Sequence, residues 1–482
     1  MTINVPRSTQ AGTAQPMYIG GAEVWARLTF GVINPATGKI FAEAPDCSPE
    51  QLDAAMQAAA DAFPSWGSCD VAVRRVALLH AAEVLDAAQD QLAELLTLEQ
   101  GKPLASSRRE IADIAKGFRF IAGVSLDEEI VQDDGVAAVR VTHRPLGVVA
   151  AITPWNFPIL LMGMKLGPAL LAGNTVVVKP SPFTPLTTLA AGRMIAEMLP
   201  AGVLNIVSGG NDLGARMTQH PAVSKVSFTG SVATGLRVAA AAASDLKRYT
   251  LELGGNDAAI VLDDADPAAI VNGLFWGAFT NSGQICAGIK RLFLPEALHD
   301  VVVAGLVERA ARVRLGDGLL PGMHLGPINN LAQFERVKAL VAEAVGQGAT
   351  AVIGGAPTAG AGYFYPLTIL TGATDTMKIV REEQFGPALP ILSYRSVDEA
   401  VARANNTEYG LSGSVWGRDV ARGAAVAARL DCGTQYVNTH LALEPHIPFG
   451  GIKRSGVGVE NGHWGLREFT DLRVSYIASP RH

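Results

Sequence analysis

The sequence has few cysteines, and none of them stands in the paired spacing that binds zinc or carries redox chemistry. Its four cysteines are scattered along 482 residues, at Cys47, Cys69, Cys286 and Cys432, without a C-x-x-C pair. This pattern excludes a disulfide scaffold and a cysteine-based zinc site. Residues 1–16 are mostly polar and contain no apolar signal core. We therefore expect a cytoplasmic protein, since free thiols persist in that reducing compartment.

An excess of positive charge is also lacking. Lys and Arg number 39 against 45 Asp and Glu, which gives a formal net charge of -6, and no long basic block is present. Because a nucleic-acid backbone is bound through positive charge, we expect no nucleic-acid partner. The composition, 49% hydrophobic and 17% charged, is that of a folded globular protein. The length predicts about two to four domains.

No apolar run in the sequence is both long and uninterrupted. The strongest candidate for a membrane span, residues 146–178, is broken by three prolines, two asparagines and a lysine: Pro154, Asn156, Pro158, Lys165, Pro168 and Asn174. A membrane helix needs about 20 apolar residues, so we expect no membrane partner. The segment instead predicts a β-α-β unit, with a strand GVVAAI, a helix from about Ile159 to Leu171 that ends at Gly173, and a strand NTVVVK.

Strands and helices continue to alternate after this unit. The pattern predicts strands at 203–208, 225–229 and 249–253, with helices near 184–198, 211–218 and 231–243. Such alternation predicts an α/β fold with a mostly parallel, doubly wound sheet, which binds ligands at the carboxyl ends of its strands. A second alternating series begins with DAAIVL after Gly255 and predicts a second α/β domain.

Two segments do not fit this alternation. Residues 125–143 contain the acidic turn VQDDGVAA followed by VRVTH, which is typical of a hairpin. Towards residue 477, the segment TDLRVSYI alternates Leu472, Val474 and Tyr476 with polar residues and predicts a half-buried strand.

Three side chains are candidates for chemistry, one in a loop-like segment rich in small residues and two where predicted strands end. Cys286, in the segment NSGQICAG, offers a thiol nucleophile, although a single cysteine is more often a small buried apolar side chain. Glu252 ends the apolar strand YTLEL, where burial would raise its pKa towards that of a general base; pointing outward or capping a helix are the alternatives. Asn156 in PWNFP offers an amide to an oxyanion or serves a local turn.

A glycine-containing turn follows the strand KVSFT and begins a helix. In the segment GSVATG, from Gly230 to Gly235, backbone N–H groups and the helix dipole would face an anion. The segment is not a Walker A motif, because Leu236 stands where lysine is needed, and it does not match G-x-G-x-x-G. Any nucleotide is therefore expected to bind in a manner unlike the usual dinucleotide fingerprint.

Seven motifs occur together in one order along the chain: PWNFP, Lys179-Pro180-Ser181, FTGS, LELGG, GQICAG, EEQFGP and PFGGIKRSG. With them the chain resembles the NAD(P)-dependent aldehyde dehydrogenase superfamily from about residue 17 to residue 477. The resemblance implies two doubly wound α/β domains, for cofactor and catalysis, and a small β oligomerisation element. The expected bounds are 1–122 and 144–254 for the NAD(P)-binding domain, 255–450 for the catalytic domain, and 123–143 and 468–482 for the oligomerisation element. A homodimer or homotetramer is implied as well.

The resemblance implies a covalent route from an aldehyde to a carboxylic acid. Cys286 would attack the aldehyde carbon to give a thiohemiacetal, with Asn156 and the Cys286 N–H as the oxyanion hole. After hydride transfer to the nicotinamide, Glu252 would activate the water that hydrolyses the thioester, and Lys165 and Glu460 resemble supporting polar groups. The alternative is a CoA-acylating aldehyde or semialdehyde dehydrogenase. Such relatives tend to lack this glutamate, so the presence of Glu252 argues against it. A catalytically silent relative would be expected to lack the cysteine.

The resemblance also implies a set of cofactor contacts. Lys179 would bond the adenosine ribose, Ser231 the pyrophosphate and Glu383 the nicotinamide ribose. The full predicted set is Trp155, Lys179, Ser181, Gly230, Ser231, Leu253, Glu383 and Phe385. Many NAD-preferring members carry a glutamate where this chain has Pro182, so we expect NAD with NADP also possible. No metal is expected.

The residues that would line the aldehyde tunnel, by the same resemblance, are apolar: Phe157, Leu161, Met164, Ile285, Leu441, Leu443 and Phe449. No arginine lies in 438–447 to bind a substrate carboxylate, and no aromatic cluster for a quaternary ammonium group is evident. This lining predicts a medium-sized aliphatic or aromatic aldehyde, and His446 or Glu444 could select a polar group.

Overall fold

The computed structural model describes residues 16–479, which form two doubly wound α/β units and a small antiparallel sheet. Residues 1–15 and 480–482, which fall within the expected domain bounds, lie outside the described residues. In chain order the strands of the described part are β1 (Met17–Ile19), β2 (Ala22–Val24), β3 (Leu28–Asn34), β4 (Lys39–Asp46), β5 (Glu129–Asp133), β6 (Ala137–Pro145), β7 (Val148–Ile152), β8 (Thr175–Lys179), β9 (Leu204–Ile206), β10 (Val223–Thr229), β11 (Arg248–Glu252), β12 (Asp257–Val261), β13 (Ile289–Pro295), β14 (Thr350–Ile353), β15 (Thr368–Thr371), β16 (Ala388–Tyr394), β17 (Ser412–Trp416), β18 (Thr434–Val437), β19 (Gly456–Val457) and β20 (Thr470–Ala478).

Several helices begin at side-chain caps that the sequence supplies. Ser48 accepts a hydrogen bond from the Gln51 N–H in a capping box, and Asp266 accepts one from the Ala268 N–H. In chain order the α-helices of the described part are α1 (Pro49–Ser68), α2 (Val71–Ala87), α3 (Gln89–Gln100), α4 (Leu104–Ala122), α5 (Pro158–Ala172), α6 (Leu186–Ala196), α7 (Asn211–Gln219), α8 (Val232–Ala243), α9 (Pro267–Phe279), α10 (His299–Ala311), α11 (Leu331–Gly346), α12 (Lys378–Arg381), α13 (Val397–Asn405), α14 (Val420–Ala427) and α15 (Gly462–Arg467).

The first sheet provides the strand ends on which the site is built. Its strands lie in the order β19-β11-β10-β7-β8-β9-β1-β2, and those from β11 to β9 run parallel. The register pairs Ile152 with Lys179 and Thr229 with Glu252. These carboxyl ends therefore meet along one edge of the sheet, as predicted for a doubly wound fold.

The predicted β-α-β unit is confirmed as β7, α5 and β8. Helix α5 begins at Pro158, whose missing N–H costs nothing in a first turn, and ends at Gly173 with φ at +97°. A Cβ on Gly173 would lie 2.4 Å from the Arg74 guanidinium. Only glycine therefore suits this left-handed helix end, which returns the chain directly into β8.

The second unit surrounds a sheet with the strand order β14-β15-β16-β13-β12-β17-β18. Its inner strands run parallel and are buried along nearly their whole length, which is typical of a sheet covered by helices on both faces. The chain then returns to the first sheet, because β19 pairs antiparallel with β11 through Leu251 with Val457 and Glu252 with Gly456. Strand β11, which ends in Glu252, therefore has a hydrogen-bonded strand on each side, β19 and β10.

Three antiparallel strands form a separate small sheet in the order β20-β6-β5. The hairpin predicted at 125–143 is confirmed as β5 and β6. The strand predicted in TDLRVSYI is also present, but its predicted half-burial is wrong, because Leu472, Val474 and Tyr476 are 66%, 63% and 65% exposed. Strand β20 pairs along its whole length with β6 instead of packing over either core, so its apolar alternation does not correspond to burial within one chain.

Candidate active site

A cleft between the two α/β units opens along the carboxyl edge of the first sheet. The loops after β7, β10 and β11 line it from one side, and the Cys286 loop, α11 and the segment after α12 line it from the other. The predicted residues that line it are Trp155, Asn156, Gly230, Ser231, Leu253, Cys286, Glu383 and Phe385. The sequence interpretation missed Gln333, Arg336, Tyr409 and Arg454, which also line this cleft. Gln333, Arg336 and Tyr409 lie outside the seven motifs, whereas Arg454 lies within PFGGIKRSG and was not singled out there.

Cys286 lies in a tightly folded loop that follows α9. Asn281 and Ser282 adopt left-handed backbone angles, and a Cβ on Gly283 would lie 2.1 Å from the Gly386 carbonyl oxygen. Cys286 packs beside a small apolar cluster that includes Leu441 and Phe449. Burial, together with nearby carboxylates, raises the pKa of this thiol to about 12. The thiol is therefore protonated at neutral pH and needs activation before it can act as a nucleophile.

Asn156 follows β7 and is almost fully buried. Its Nδ2 donates to the Gln284 carbonyl oxygen at 3.1 Å, which ties the amide to the chain two residues before Cys286. The main-chain carbonyl oxygen of Asn156 accepts hydrogen bonds from Lys102 Nζ at 2.8 Å and Asn281 Nδ2 at 3.2 Å. The side chain thus bridges the two units and does not serve a local turn. One amide hydrogen is left for another acceptor at the cleft.

Glu252 ends β11 as a buried carboxyl, 4% exposed, and does not point outward. Its Oε1 has no hydrogen-bond partner among the described residues. Burial raises the pKa of Glu252 well above its ordinary value, and the neighbouring Glu460 carboxylate raises it further, whereas the Lys165 ammonium lowers it. Lys165 Nζ donates to Glu460 Oε1 at 2.6 Å and to Thr229 Oγ1 at 2.7 Å. Glu252 is therefore a buried carboxyl whose raised pKa makes it a stronger proton acceptor than an ordinary glutamate.

Glu383 and Phe385 reach the cleft from the second unit. The Glu383 Oε1 accepts a hydrogen bond from the Gly255 N–H at 3.1 Å, and burial raises the pKa of this carboxyl to about 7. A Cβ on Gly254 would lie 2.3 Å from Glu383 Oε2, so glycine is required where the two units meet. Phe385 packs edge-on against Trp155 with ring centroids 5.2 Å apart. Together they form a carboxyl and an aromatic wall beside Cys286.

The amino end of α8 faces the same cleft. Gly230, Ser231, Val232 and Ala233 line it, and Ser231 caps the helix by accepting a hydrogen bond from the Thr234 N–H. The first N–H groups of a helix have no partners within the helix, so this end suits the phosphates of a dinucleotide. The Glu383 carboxyl, the aromatic wall of Trp155 and Phe385, and the free N–H groups at the start of α8 therefore fit a bound nicotinamide dinucleotide.

Lys179 and Ser181 do not line this part of the cleft. Lys179 ends β8, the next strand along from β7, and its Nζ donates to the Pro180 carbonyl oxygen at 3.2 Å. Burial lowers the pKa of Lys179 to about 8, while Asp46 opposes that shift. Ser181 Oγ accepts a hydrogen bond from the Phe183 N–H. The structure thus places these two residues along the same sheet edge but further from Cys286.

A second cleft lies between α4, α5 and the loop that precedes Phe449. Of the predicted tunnel residues, Met164 and Leu443 line it. Leu161 does not line it; Leu160 does, because the face of α5 that is turned to the cleft carries residues 160, 163, 164 and 167. Ile285 and Phe449 are buried, and Leu441 and Phe449 pack beside Cys286. The loop from Leu441 to Phe449 therefore contacts both this cleft and the thiol.

The second cleft has a charged rim that sequence reasoning did not find on α4. Arg109, Asp113 and Lys116 line it from α4, and Lys116 Nζ lies 2.6 Å from Glu444 Oε2 across the opening. Their helical spacing at 109, 113 and 116 places them on one face of α4, and this spacing is the signal that was available. The expectation of a wholly apolar lining is therefore corrected at the rim.

Residues 16–479 contain no group of three or more His, Cys, Asp or Glu residues placed to hold a metal ion. Across the same residues, every helix is too short or too polar to cross a membrane.

Comparison with known proteins identifies relatives along nearly the whole chain. The family model described as the aldehyde dehydrogenase family matches residues 25–475. A protein of Elephantulus edwardii named aldehyde dehydrogenase, cytosolic 1, is 39% identical over 455 residues, which cover 92% of this chain and 91% of the relative. An aldehyde dehydrogenase from Bacillus cereus solved with NAD+ is 35% identical with a TM-score of 0.94 and covers 97% of both chains. An NADP-dependent enzyme from E. coli is also 35% identical with a TM-score of 0.94, covering 97% of this chain and 98% of that one.

Proposed function

Since the chain belongs to the aldehyde dehydrogenase family, we propose that it oxidises a medium-sized apolar aldehyde to the carboxylic acid through a covalent intermediate on Cys286. The enzyme is NAD(P)-dependent and uses NAD, with NADP also possible. The observation that carries the mechanism is that Cys286 and Asn156 line one cleft, with the Asn156 amide bonded to Gln284 two residues before Cys286. The buried Glu252 carboxyl, whose Oε1 has no hydrogen-bond partner among the described residues, supplies the base.

The first chemical step forms a bond between sulfur and carbon. The Cys286 thiol passes its proton to solvent water in the open cleft, and its sulfur attacks the aldehyde carbon, so that the carbonyl oxygen becomes an alkoxide. The free N–H of the Asn156 amide and the Cys286 backbone N–H stabilise that alkoxide. When bound, NAD(P) supplies the acceptor for the hydride that leaves this carbon, and a thioester remains on Cys286.

The second stage releases the acid. Glu252 takes a proton from water, the water oxygen attacks the thioester carbon, and the Cys286 thiolate leaves. A carboxyl with an ordinary pKa would be a weaker base at neutral pH, so burial and the Glu460 charge suit Glu252 to this role. Transfer to coenzyme A is not favoured by any feature of the site, because this base is present and enclosed.

The substrate class follows from the second cleft. Its inner wall is apolar, with Leu160, Met164 and Leu443, whereas the rim charges are paired across the opening by Lys116 and Glu444. Arg109 Nε lies 3.9 Å from Asp113 Oδ2 on the same rim, so both rim cations already have a carboxylate neighbour. We infer an aliphatic or aromatic aldehyde of medium size. A reducing compartment such as the cytoplasm suits a mechanism that needs a free thiol.

An aldehyde panel with NAD and NADP in parallel tests this proposal. We expect reduced nicotinamide to form fastest with medium-sized aliphatic and aromatic aldehydes, and NADP to support turnover as well. If no aldehyde in the panel gave reduced nicotinamide, the proposed function would be overturned. A preference for carboxylate-bearing aldehydes would overturn the proposed substrate class.

The Pro182→Glu variant should lower kcat/KM with NADP by about tenfold or more, because a carboxylate beside the 2′-phosphate repels it, while kcat/KM with NAD is preserved.

The small sheet of β5, β6 and β20 supports a homodimer or homotetramer. Several of its large apolar side chains are exposed: Ile130, Val131, Val136, Leu472, Val474, Tyr476 and Ile477. Soluble monomers rarely expose so many together, which indicates that a second copy of the chain covers them.

Light scattering checks the assembly. We expect the mass of a dimer or tetramer for the unmodified chain and a shift towards monomer for Val474→Glu, because a charge would be buried at the interface. Val420→Glu is the matched control, since Val420 is similarly exposed but lies at the start of α14, where an acidic residue is favourable. A monomeric unmodified chain would contradict the proposal.

A further inference from the structure

Lys102 is a buried lysine that the proposed mechanism does not use. It lies between α3 and α4 and is 2% exposed. Its Nζ donates to Glu110 Oε2 at 2.5 Å and to the Asn156 carbonyl oxygen at 2.8 Å, and lies 3.8 Å from the Phe157 ring centroid. Within residues 16–479, the hydrogen bond and the ring contact that this ammonium makes beyond its ion pair are with residues 156 and 157.

Glu110 fixes the same segment from its other side. Its Oε1 accepts hydrogen bonds from the backbone N–H groups of Ile159 at 3.0 Å and Leu160 at 3.2 Å. Helix α5 has no cap from the side chain of its own N-cap residue, Phe157, so Glu110 supplies the cap from α4. The ion pair thus holds Asn156 by its carbonyl group and the start of α5 by its free amides.

The ring of contacts closes through the Cys286 loop. Asn156 Nδ2 donates to the Gln284 carbonyl oxygen, and Gln284 Oε1 accepts a hydrogen bond from the Asn329 N–H at 2.9 Å. Asn329 Nδ2 donates to the Glu99 carbonyl oxygen at 3.0 Å. Because residues 99 and 102 belong to one short segment, Lys102 is linked to Asn156 directly and through the loop that carries Cys286.

We propose that Lys102 is a positioning residue that orients the Asn156 amide towards the reacting oxygen. Stability alone is a weak reason to keep such a pair, because apolar replacements of buried ion pairs are often neutral or stabilising. A charge-assisted hydrogen bond to the main-chain carbonyl of Asn156, in contrast, restrains the backbone from which the Asn156 side chain projects. Displacement of a catalytic group by about 1 Å can cost on the order of 100-fold in rate. The inference rests on the proposed oxyanion role of Asn156.

A double-mutant cycle between Lys102→Met and Asn156→Ala tests this role. The measured quantity is the rate of the first-turnover burst of reduced nicotinamide at saturating NAD and aldehyde. Lys102→Met should slow the burst on the order of 10- to 100-fold. In the Asn156→Ala background the same change should cost less than about twofold, because no amide remains to be misplaced. A purely structural lysine would give additive losses.

Lys247→Met is the matched control. Lys247 is also buried, and its Nζ donates to the His220 carbonyl oxygen and lies 3.8 Å from Asp245 Oδ2. It directly precedes β11, at the opposite end of that strand from Glu252. It should lower the unfolding temperature without slowing the burst. If Lys102→Met does not fold, the variant that also carries Glu110→Gln removes both charges and keeps an acceptor for α5.

These outcomes distinguish the positioning role of Lys102 from the oxyanion role of Asn156. Additive losses in the cycle, or an unchanged burst in a folded Lys102→Met or Lys102→Met/Glu110→Gln variant, would overturn the positioning role alone. An unchanged burst in Asn156→Ala would overturn the oxyanion role in the proposed function, and the positioning role with it.

Discussion

Replacement of Cys286 by alanine removes both the first-turnover burst and steady-state formation of reduced nicotinamide. We expect a loss of at least about 10⁴-fold, because no other described side chain in the cleft offers a thiol and the covalent route is closed. Binding of NAD should persist, since the helix end at Ser231 and the Glu383 carboxyl remain in place. Stopped-flow absorbance for the burst and titration of NAD by intrinsic fluorescence measure the two effects separately.

Cys432→Ala provides the control for this experiment. Burial raises the pKa of the Cys432 thiol to about 12, the same value as that of Cys286, but Cys432 lies outside the cleft. It should therefore retain the burst and the turnover. A burst in Cys286→Ala, or its loss in Cys432→Ala, would contradict the assignment of the nucleophile.

Replacement of Glu252 by glutamine should separate the two stages of the reaction. Glutamine keeps the shape of the side chain but cannot accept the proton of the attacking water. One equivalent of reduced nicotinamide per active site should form in a burst, and turnover should then fall by about 10²- to 10⁴-fold. Mass spectrometry should detect the acyl group that remains on Cys286. Equal losses of burst and turnover would place Glu252 in the first stage instead.

The raised pKa of Glu252 gives the same experiment a pH dependence. A base must be deprotonated to act, and burial favours the protonated carboxyl. Hydrolysis of the acyl-enzyme in the unmodified protein should therefore slow as the pH falls through the raised pKa and recover as it rises. The residual hydrolysis in Glu252→Gln should lack this limb. A pH limb that survives the substitution would assign the titration to another group.

The strand ends and the residues at them were predictable from local sequence. Apolar runs bounded by glycine and proline predicted β7, α5 and β8, and parallel strands necessarily bring their carboxyl ends to one edge. Asn156 and Glu252 follow or end such strands, so their approach to a common cleft did not depend on distant information. Hydrophobic periodicity therefore predicts the strands, the helices and the residues that lie at their ends.

Contacts between distant segments were not predictable in this way. The ring from Lys102 through Asn156 and Gln284 joins three separate stretches of chain, and no spacing rule relates them. Leu160 and not Leu161 lines the second cleft, because the elements packed against α5 set its rotation about its axis. The alternation in β20 predicted a strand correctly but not its exposure, because alternation does not say what covers the apolar face.

The pairing of β19 with β11 sets the order in which the chain can mature on the ribosome. Glu252 pairs with Gly456, so the strand that carries the proposed base keeps an open edge until some two hundred further residues have been made. At ordinary rates of synthesis that interval lasts on the order of 10 s. An open edge is a template for pairing with other nascent chains, so this period is the one in which a chaperone has most to protect. A chain truncated before β19 should accumulate as aggregate even though it already contains Asn156, Glu252 and Cys286.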